Sequence, residues 1–187
     1  MFQHTPWIGT EYTNGLSGCK VVVVGNTHWS EDGEVDDQDC TIKTVSEVCI
    51  GAYDKIAFFN QIRGYFGFTD ASEFWNRVVF FNYAPRCIGT RANRYDAIPP
   101  SLADEAKARF LKILEEKKPD KVFVFSSAVR WMLPVRDVEM LKVALNNARV
   151  GRLLDSDLSS PIYMLRHPER ASKQEMTETV SALMENC

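Results

Sequence analysis

The sequence predicts an α/β protein, a three-layer α/β/α sandwich around a central, mainly parallel, four-stranded sheet. Three observations predict it. Four short apolar runs, at 20–24, 77–82, 121–126 and 161–166, have the composition of strands buried on both faces. Longer stretches with helical spacing of apolar residues separate them, and that alternation implies a parallel sheet covered on both sides. Each run closes on polar residues at its carboxyl end, the edge where sheets of this kind carry ligands.

Taken in order, Val21 to Val24 is a β-branched run closed by Gly25. Helical spacing follows over 41–60, with Ile42, Val45, Val48 and Cys49 on one face, and a shorter helix is expected over 71–76. The second strand, Val78-Val79-Phe80-Phe81, ends in Asn82. A helix over 102–117 carries Leu102, Ala106, Phe110, Ile113 and Leu114 as a stripe; Pro99-Pro100-Ser101 opens it and Pro119 stops it. The third strand, Val122-Phe123-Val124-Phe125, runs into Ser126-Ser127 and a helix holding Trp131. A further helix is expected over 137–147, with Met140, Leu141, Ala144 and Leu145 inward. The fourth strand, Ile162 to Leu165, leads through Arg166-His167-Pro168 to Ser172-Lys173-Gln174-Glu175, the capping box of a last helix ending near Met184.

The 187 residues suit one domain spanning 1–187. With 22 Lys+Arg against 25 Asp+Glu the formal charge is −3, so a nucleic-acid partner needs a local patch rather than a basic surface. The longest aliphatic block is far too short to span a bilayer, and the N-terminus lacks the basic and apolar regions of a signal peptide, so a cytoplasmic protein without a membrane partner is expected. Five cysteines, Cys19, Cys40, Cys49, Cys87 and Cys187, form no CxxC pair, and only three histidines accompany them. Reduced, mostly buried thiols are expected, with no metal site and no cofactor.

Function is sought at the four strand ends. Gly25-Asn26-Thr27-His28-Trp29 packs an amide, a hydroxyl, an imidazole and an indole into one loop, and it is neither GxGxxG nor a Walker A sequence. The acidic stretch after it, including Asp32 and Asp36, reads first as solvated loop, from which one carboxylate could reach back. Asn82 offers a donor and an acceptor together, which suits a nucleobase edge. Arg86, Arg91 and Arg94 form the nearest thing to a basic cluster and suggest phosphate contacts. Ser127 at a helix start is a cap that also makes a phosphate seat. His167, fixed by Pro168, joins Asn26, His28 and Asn82 on one rim.

These residues resemble the uracil-DNA glycosylase superfamily over most of 7–178. Gly25-Asn26-Thr27-His28-Trp29 stands where the family has its water-activating loop, GQDPYH, GEAPG or GxNPG in different branches, and is most like a branch reading Gly-Glu-Ser-His-Tyr. Val79-Phe80-Phe81-Asn82 is similar to the strand whose terminal Asn reads the base. His167-Pro168-Glu169-Arg170-Ala171-Ser172 lines up with the second motif, HPSPLS. Thr27 stands where the best-known branch keeps an Asp, and Ala171 where it has a wedging Leu.

The resemblance implies a monomeric, monofunctional DNA glycosylase that flips out a damaged or modified pyrimidine, including phage-type hypermodified bases, and hydrolyses its N-glycosidic bond in repair or antiviral defence. His167 would stabilise the departing base, and Asn26 with His28 would hold the water. Asn82 would read the base, and Trp29 or Phe59 would stack on it. Arg86, Arg170 and Lys173, with Ser127 and Ser172 at helix starts, would hold DNA. Asp32 or Asp36 is the candidate replacement for the missing carboxylate. Uracil excision is the second reading. A catalytically degenerate nucleic-acid-binding module and a small-ligand α/β protein are the rivals from other classes.

Overall fold

The computed structural model describes residues 2–30, 35–52, 57–90, 97–143, 146–154 and 156–185. The four expected strands are present as β2 (Val21–Gly25), β3 (Val78–Asn82), β4 (Lys121–Phe125) and β7 (Ile162–Leu165), every residue of each buried. They pair in parallel in the order β3-β2-β4-β7.

The sheet is larger than the sequence predicts. It is a mixed sheet of seven strands in the order β1-β3-β2-β4-β7-β6-β5. β1 (Trp7–Ile8) lies antiparallel on β3, while β5 (Val135–Val143) and β6 (Asn146–Leu153) form an antiparallel hairpin joined to β7. The helix expected over 137–147 is therefore a correction. Leu141 and Val143, two residues apart, pack toward the core, whereas Met140 is 57% exposed, which is the alternation of a strand and not a helical stripe. Of the other two residues expected to point inward, Ala144 and Leu145, both lie outside the described residues.

The alternation of buried strands assigns their residues to two cores. Val21, Val23, Val78, Phe80, Phe123 and Phe125 meet helices α1 (Cys40–Cys49), α2 (Ala57–Tyr65), α3 (Ala71–Trp75) and α5 (Lys173–Met184) on one face. Val22, Val24, Val79, Phe81, Val122 and Val124 meet α4 (Pro100–Lys117) on the other. The three layers follow from that division. The single helical pattern expected over 41–60 is two helices, α1 and α2, with Gly51 at φ +74 just past the end of α1.

Helix ends behave as their sequences dictate. Asp70 and Ser172 accept the backbone N–H groups of Glu73 and Glu175, capping α3 and α5. Lys118 takes the left-handed conformation that ends α4 before Pro119. Lys121, buried at the start of β4, donates to the carbonyls of Leu183 (2.7 Å) and Glu185 (2.8 Å), satisfying the carboxyl end of α5. Cys40, Cys49 and Cys87 carry free thiols, but Cys19, buried at the turn before β2, is disulfide-bonded, which corrects the expectation of reduced cysteines there. Among the described residues no helix is long and apolar enough to cross a membrane.

Candidate functional site

Because β2, β3, β4 and β7 run in parallel, Gly25, Asn82, Ser126 and His167 come to the same edge of the sheet. Gly25 and Asn82 are register partners, and the ladder continues past them: Tyr83 N–H donates to Gly25 O (3.0 Å), Ala84 N–H to Asn26 O (2.9 Å) and Ile88 N–H to His28 O (3.0 Å). Loop 25–29, which resembles the first motif of the uracil-DNA glycosylase superfamily and is called the first-motif loop below, is thus laid along the β3 exit loop. Asn82 is 5% exposed, and Arg109 from α4 fixes its backbone carbonyl at 2.7 Å.

A Cβ at position 25 would stand 2.2 Å from Asn82 Oδ1 and 3.3 Å from Phe58 Cζ. Glycine therefore makes the room in which the Asn82 amide sits. Phe58, on α2, also lies 5.4 Å from the His167 ring, centroid to centroid. Gly25, Asn82, Phe58 and His167 form one cluster.

His167 is the N-cap of a single 3₁₀ turn, Pro168–Arg170, and its Nδ1 accepts the Glu169 N–H at 3.3 Å. That bond places the imidazole proton on Nε2, leaving a donor for a ligand. Burial lowers the His167 pKa, the Arg170 charge acts the same way, and Glu169 opposes them; the ring is neutral at physiological pH. In the first-motif loop, Asn26 Oδ1 is buried with no hydrogen-bond partner. A buried amide oxygen of this kind is satisfied by a water or a ligand.

His28 is committed elsewhere. Its Nε2 lies 3.0 Å from Thr41 Oγ1, and its ring packs edge-on against His4 with centroids 5.5 Å apart. Burial is the main cause, His4 and Arg109 act the same way, and Asp36 opposes them only in part; the His28 pKa is pushed down to about 3. Asp36 faces the same cluster: Oδ1 lies 2.7 Å from His4 Nε2 and Oδ2 accepts the Cys87 N–H at 2.9 Å. Burial raises its pKa, but the hydrogen bonds from His4 and Cys87 win, and it stays below the usual carboxylate value. Both oxygens are engaged by His4 and Cys87, so Asp36 is not free to act as a general base. Asp32 lies outside the described residues.

Several expected contacts need correcting. Phe59 is 4% exposed and packs among Trp75, Phe80 and Phe58, so it belongs to the core; Phe58 is the aromatic that reaches the cluster. Arg86 is paired with Glu105 of α4 and contacts the Phe2 carbonyl, so its guanidinium is held inside the fold rather than offered to a phosphate. Ser127 caps no long helix: the expected helix is a three-residue 3₁₀ turn, Val129–Trp131, whose Val129 N–H donates to Ser126 Oγ. Trp29 is 38% exposed, and Arg170, Ser172 and Lys173 are exposed next to His167. Arg91 and Arg94 lie outside the described residues.

Sequence reasoning missed Phe58, Arg109 and the His4–Asp36–Cys87 group. Consecutive helical residues point about 100° apart, so Phe58-Phe59 had to divide between site and core, but the sequence does not say which goes where. Arg109, His4, Asp36 and Cys87 are brought together only by the folded chain. No family model matches this chain, and no curated protein matches it in sequence.

Proposed function

We propose that this protein is a DNA glycosylase that flips a damaged or modified pyrimidine out of the stack and hydrolyses its N-glycosidic bond, leaving an abasic site. The observation that carries the reading is the clustering of Asn82, Phe58 and His167 around Gly25 at the carboxyl edge of the sheet. The resemblance of its two loops to the uracil-DNA glycosylase motifs supports the same reading.

Three groups are needed: a reader for the base, a donor for the base anion, and a held water. The Asn82 amide reads the base edge, with Phe58 as its apolar wall and Trp29 as an exposed aromatic at the rim. The glycosidic bond breaks with its electron pair passing to the base, and neutral His167 donates Nε2–H to the anion that forms. Asn26 Oδ1 accepts a hydrogen bond from the water whose oxygen makes the new bond to the sugar; the water's proton passes to solvent. With Asp36 engaged by His4 and Cys87, no carboxylate is assigned as base, so the sugar becomes oxocarbenium-like before the water attacks. Such a mechanism suits a base that leaves readily, as electron-poor modified pyrimidines do. DNA is held by a local patch at Arg170, Ser172 and Lys173, and the protein works as a cytoplasmic monomer in repair or defence.

The engagement of Asp36 also favours a second reading, a degenerate module that binds DNA without cleaving it. Incubation with DNAs carrying uracil, damaged pyrimidines and phage-type hypermodified pyrimidines separates the two. Release of free base with an abasic site left behind supports the glycosylase. Salt-sensitive binding without release on every substrate rejects it in favour of the module.

A further inference from the structure

Three distant segments meet behind the first-motif loop. His4 comes from the chain before β1, Cys40 is the first residue of α1, and Cys87 lies in the loop after β3. One nitrogen of His4 and the two Sγ atoms lie within 4.8 Å of one another. We propose that His4, Cys40 and Cys87 bind one Zn²⁺ ion.

The state of His4 argues for a metal rather than for ordinary packing. The ring is 2% exposed, and its Nε2 is 2.7 Å from Asp36 Oδ1. While Nε2 faces that carboxylate, Nδ1 is buried with no hydrogen-bond partner. A carboxylate behind one imidazole nitrogen and a metal on the other is the usual way a protein orients a ligating histidine. Asp36 orients a second ligand as well, because its Oδ2 accepts the Cys87 N–H. The His4 backbone is fixed on both sides, its N–H on Pro85 O (2.7 Å) and its C=O on Arg109 Nη2 (2.6 Å).

The donors select the ion. Two thiolates and an imidazole suit Zn²⁺ and do not suit Mg²⁺ or Ca²⁺. Zn–S bonds of about 2.3 Å and Zn–N bonds of about 2.0 Å at tetrahedral angles put donors roughly 3.5–3.8 Å apart, so closure needs movements of about 1.3 Å at most. Cys40 sits at a helix N-terminus, which favours its thiolate. Three protein donors leave the fourth position to water. Binding releases the thiol protons, so affinity falls in acid. The ion would tie the β3 exit loop to α1, and that loop carries the first-motif loop through the Ile88–His28 bond. Metal binding does not depend on the glycosylase reading.

Titration of the reduced full-length chain with Co²⁺ tests it. The expected result is a thiolate-to-cobalt charge-transfer band with intense tetrahedral d–d absorption, saturating at one ion per chain and bleached by Zn²⁺. Cys40→Ser and Cys87→Ser should each remove or sharply weaken the band, and Cys49→Ser should keep it. Asp36→Asn should retain the spectrum and weaken affinity about 10–100-fold. Circular dichroism identifies any variant that fails to fold, and absence of the band in the wild type counts against the site whatever the variants do. Absence of the band in the reduced wild type would overturn the proposal, as would a band untouched in folded Cys40→Ser and Cys87→Ser proteins. A Cys40–Cys87 disulfide formed in air by a chain that takes up no Co²⁺ after reduction would also overturn it and make the pair a redox couple.

Discussion

Asn82 Oδ1 occupies the space where a side chain at Gly25 would begin: a Cβ there would lie 2.2 Å from it. The two residues are register partners on adjacent parallel strands, so neither can move without the sheet. The position of the Asn82 amide is therefore written into the residue opposite it.

Gly25→Ala tests that relationship. The 5%-exposed Asn82 has little room to retreat, so overpacking should cost about 1–3 kcal/mol in denaturant unfolding. Base selectivity should change along with it. Unchanged stability together with unchanged base release would show that the amide is free to move.

Phe58 and Phe59 should separate cleanly. Phe59 is in the core, so Phe59→Ala should destabilise by about 3–5 kcal/mol. Phe58→Leu keeps apolar volume on α2 and should cost little stability, yet lower substrate affinity because the aromatic wall is gone. Equilibrium unfolding and binding to substrate DNA, measured on both variants, check the assignment.

The four central strands and their shared edge were legible because β-branched and aromatic runs closed by Gly25, Asn82, Ser126 and Arg166 leave little choice of structure. The hairpin was not. Its segment mixes charges with Met140, Leu141 and Val143 so that helical and alternating patterns both fit, and only pairing with β7 decides. Asn26, Asn82 and His167 could be placed from strand ends alone. The diversion of His28 and Asp36 to His4 could not, because His4 reaches them through tertiary folding and Arg109 holds it there.

DNA affinity should distinguish the basic residues. Reversing Arg170 and Lys173 together should weaken binding similarly for all sequences and lower the salt slope by roughly 2, about 0.9 for each phosphate no longer neutralised. Arg86→Gln should leave the salt slope unchanged, because Arg86 is paired with Glu105. Binding measured over a range of salt concentrations checks both.

Stability should fall with acid before the carboxylates titrate. The His28 pKa drops from 6.5 to about 3 on folding, chiefly through burial. Between those values the unfolded chain takes up a proton that the fold refuses, so this contribution is complete above pH 6.5 and is lost as pH falls toward 3. His167, also lowered, acts with the same sign. The Tm of the wild type should decline between about pH 6.5 and 4, and His28→Gln, which retains a polar partner for Thr41, should flatten that decline.

The most direct test of the proposed mechanism is single-turnover base release by wild type and His167→Ala, on a DNA from which the wild type releases base. On the proposed mechanism His167 donates to a charge that develops only as the base departs, so the variant should lose roughly 10²-fold or more in rate. Its DNA affinity should be nearly unchanged. A His167→Ala protein that releases base at the wild-type rate would contradict the account.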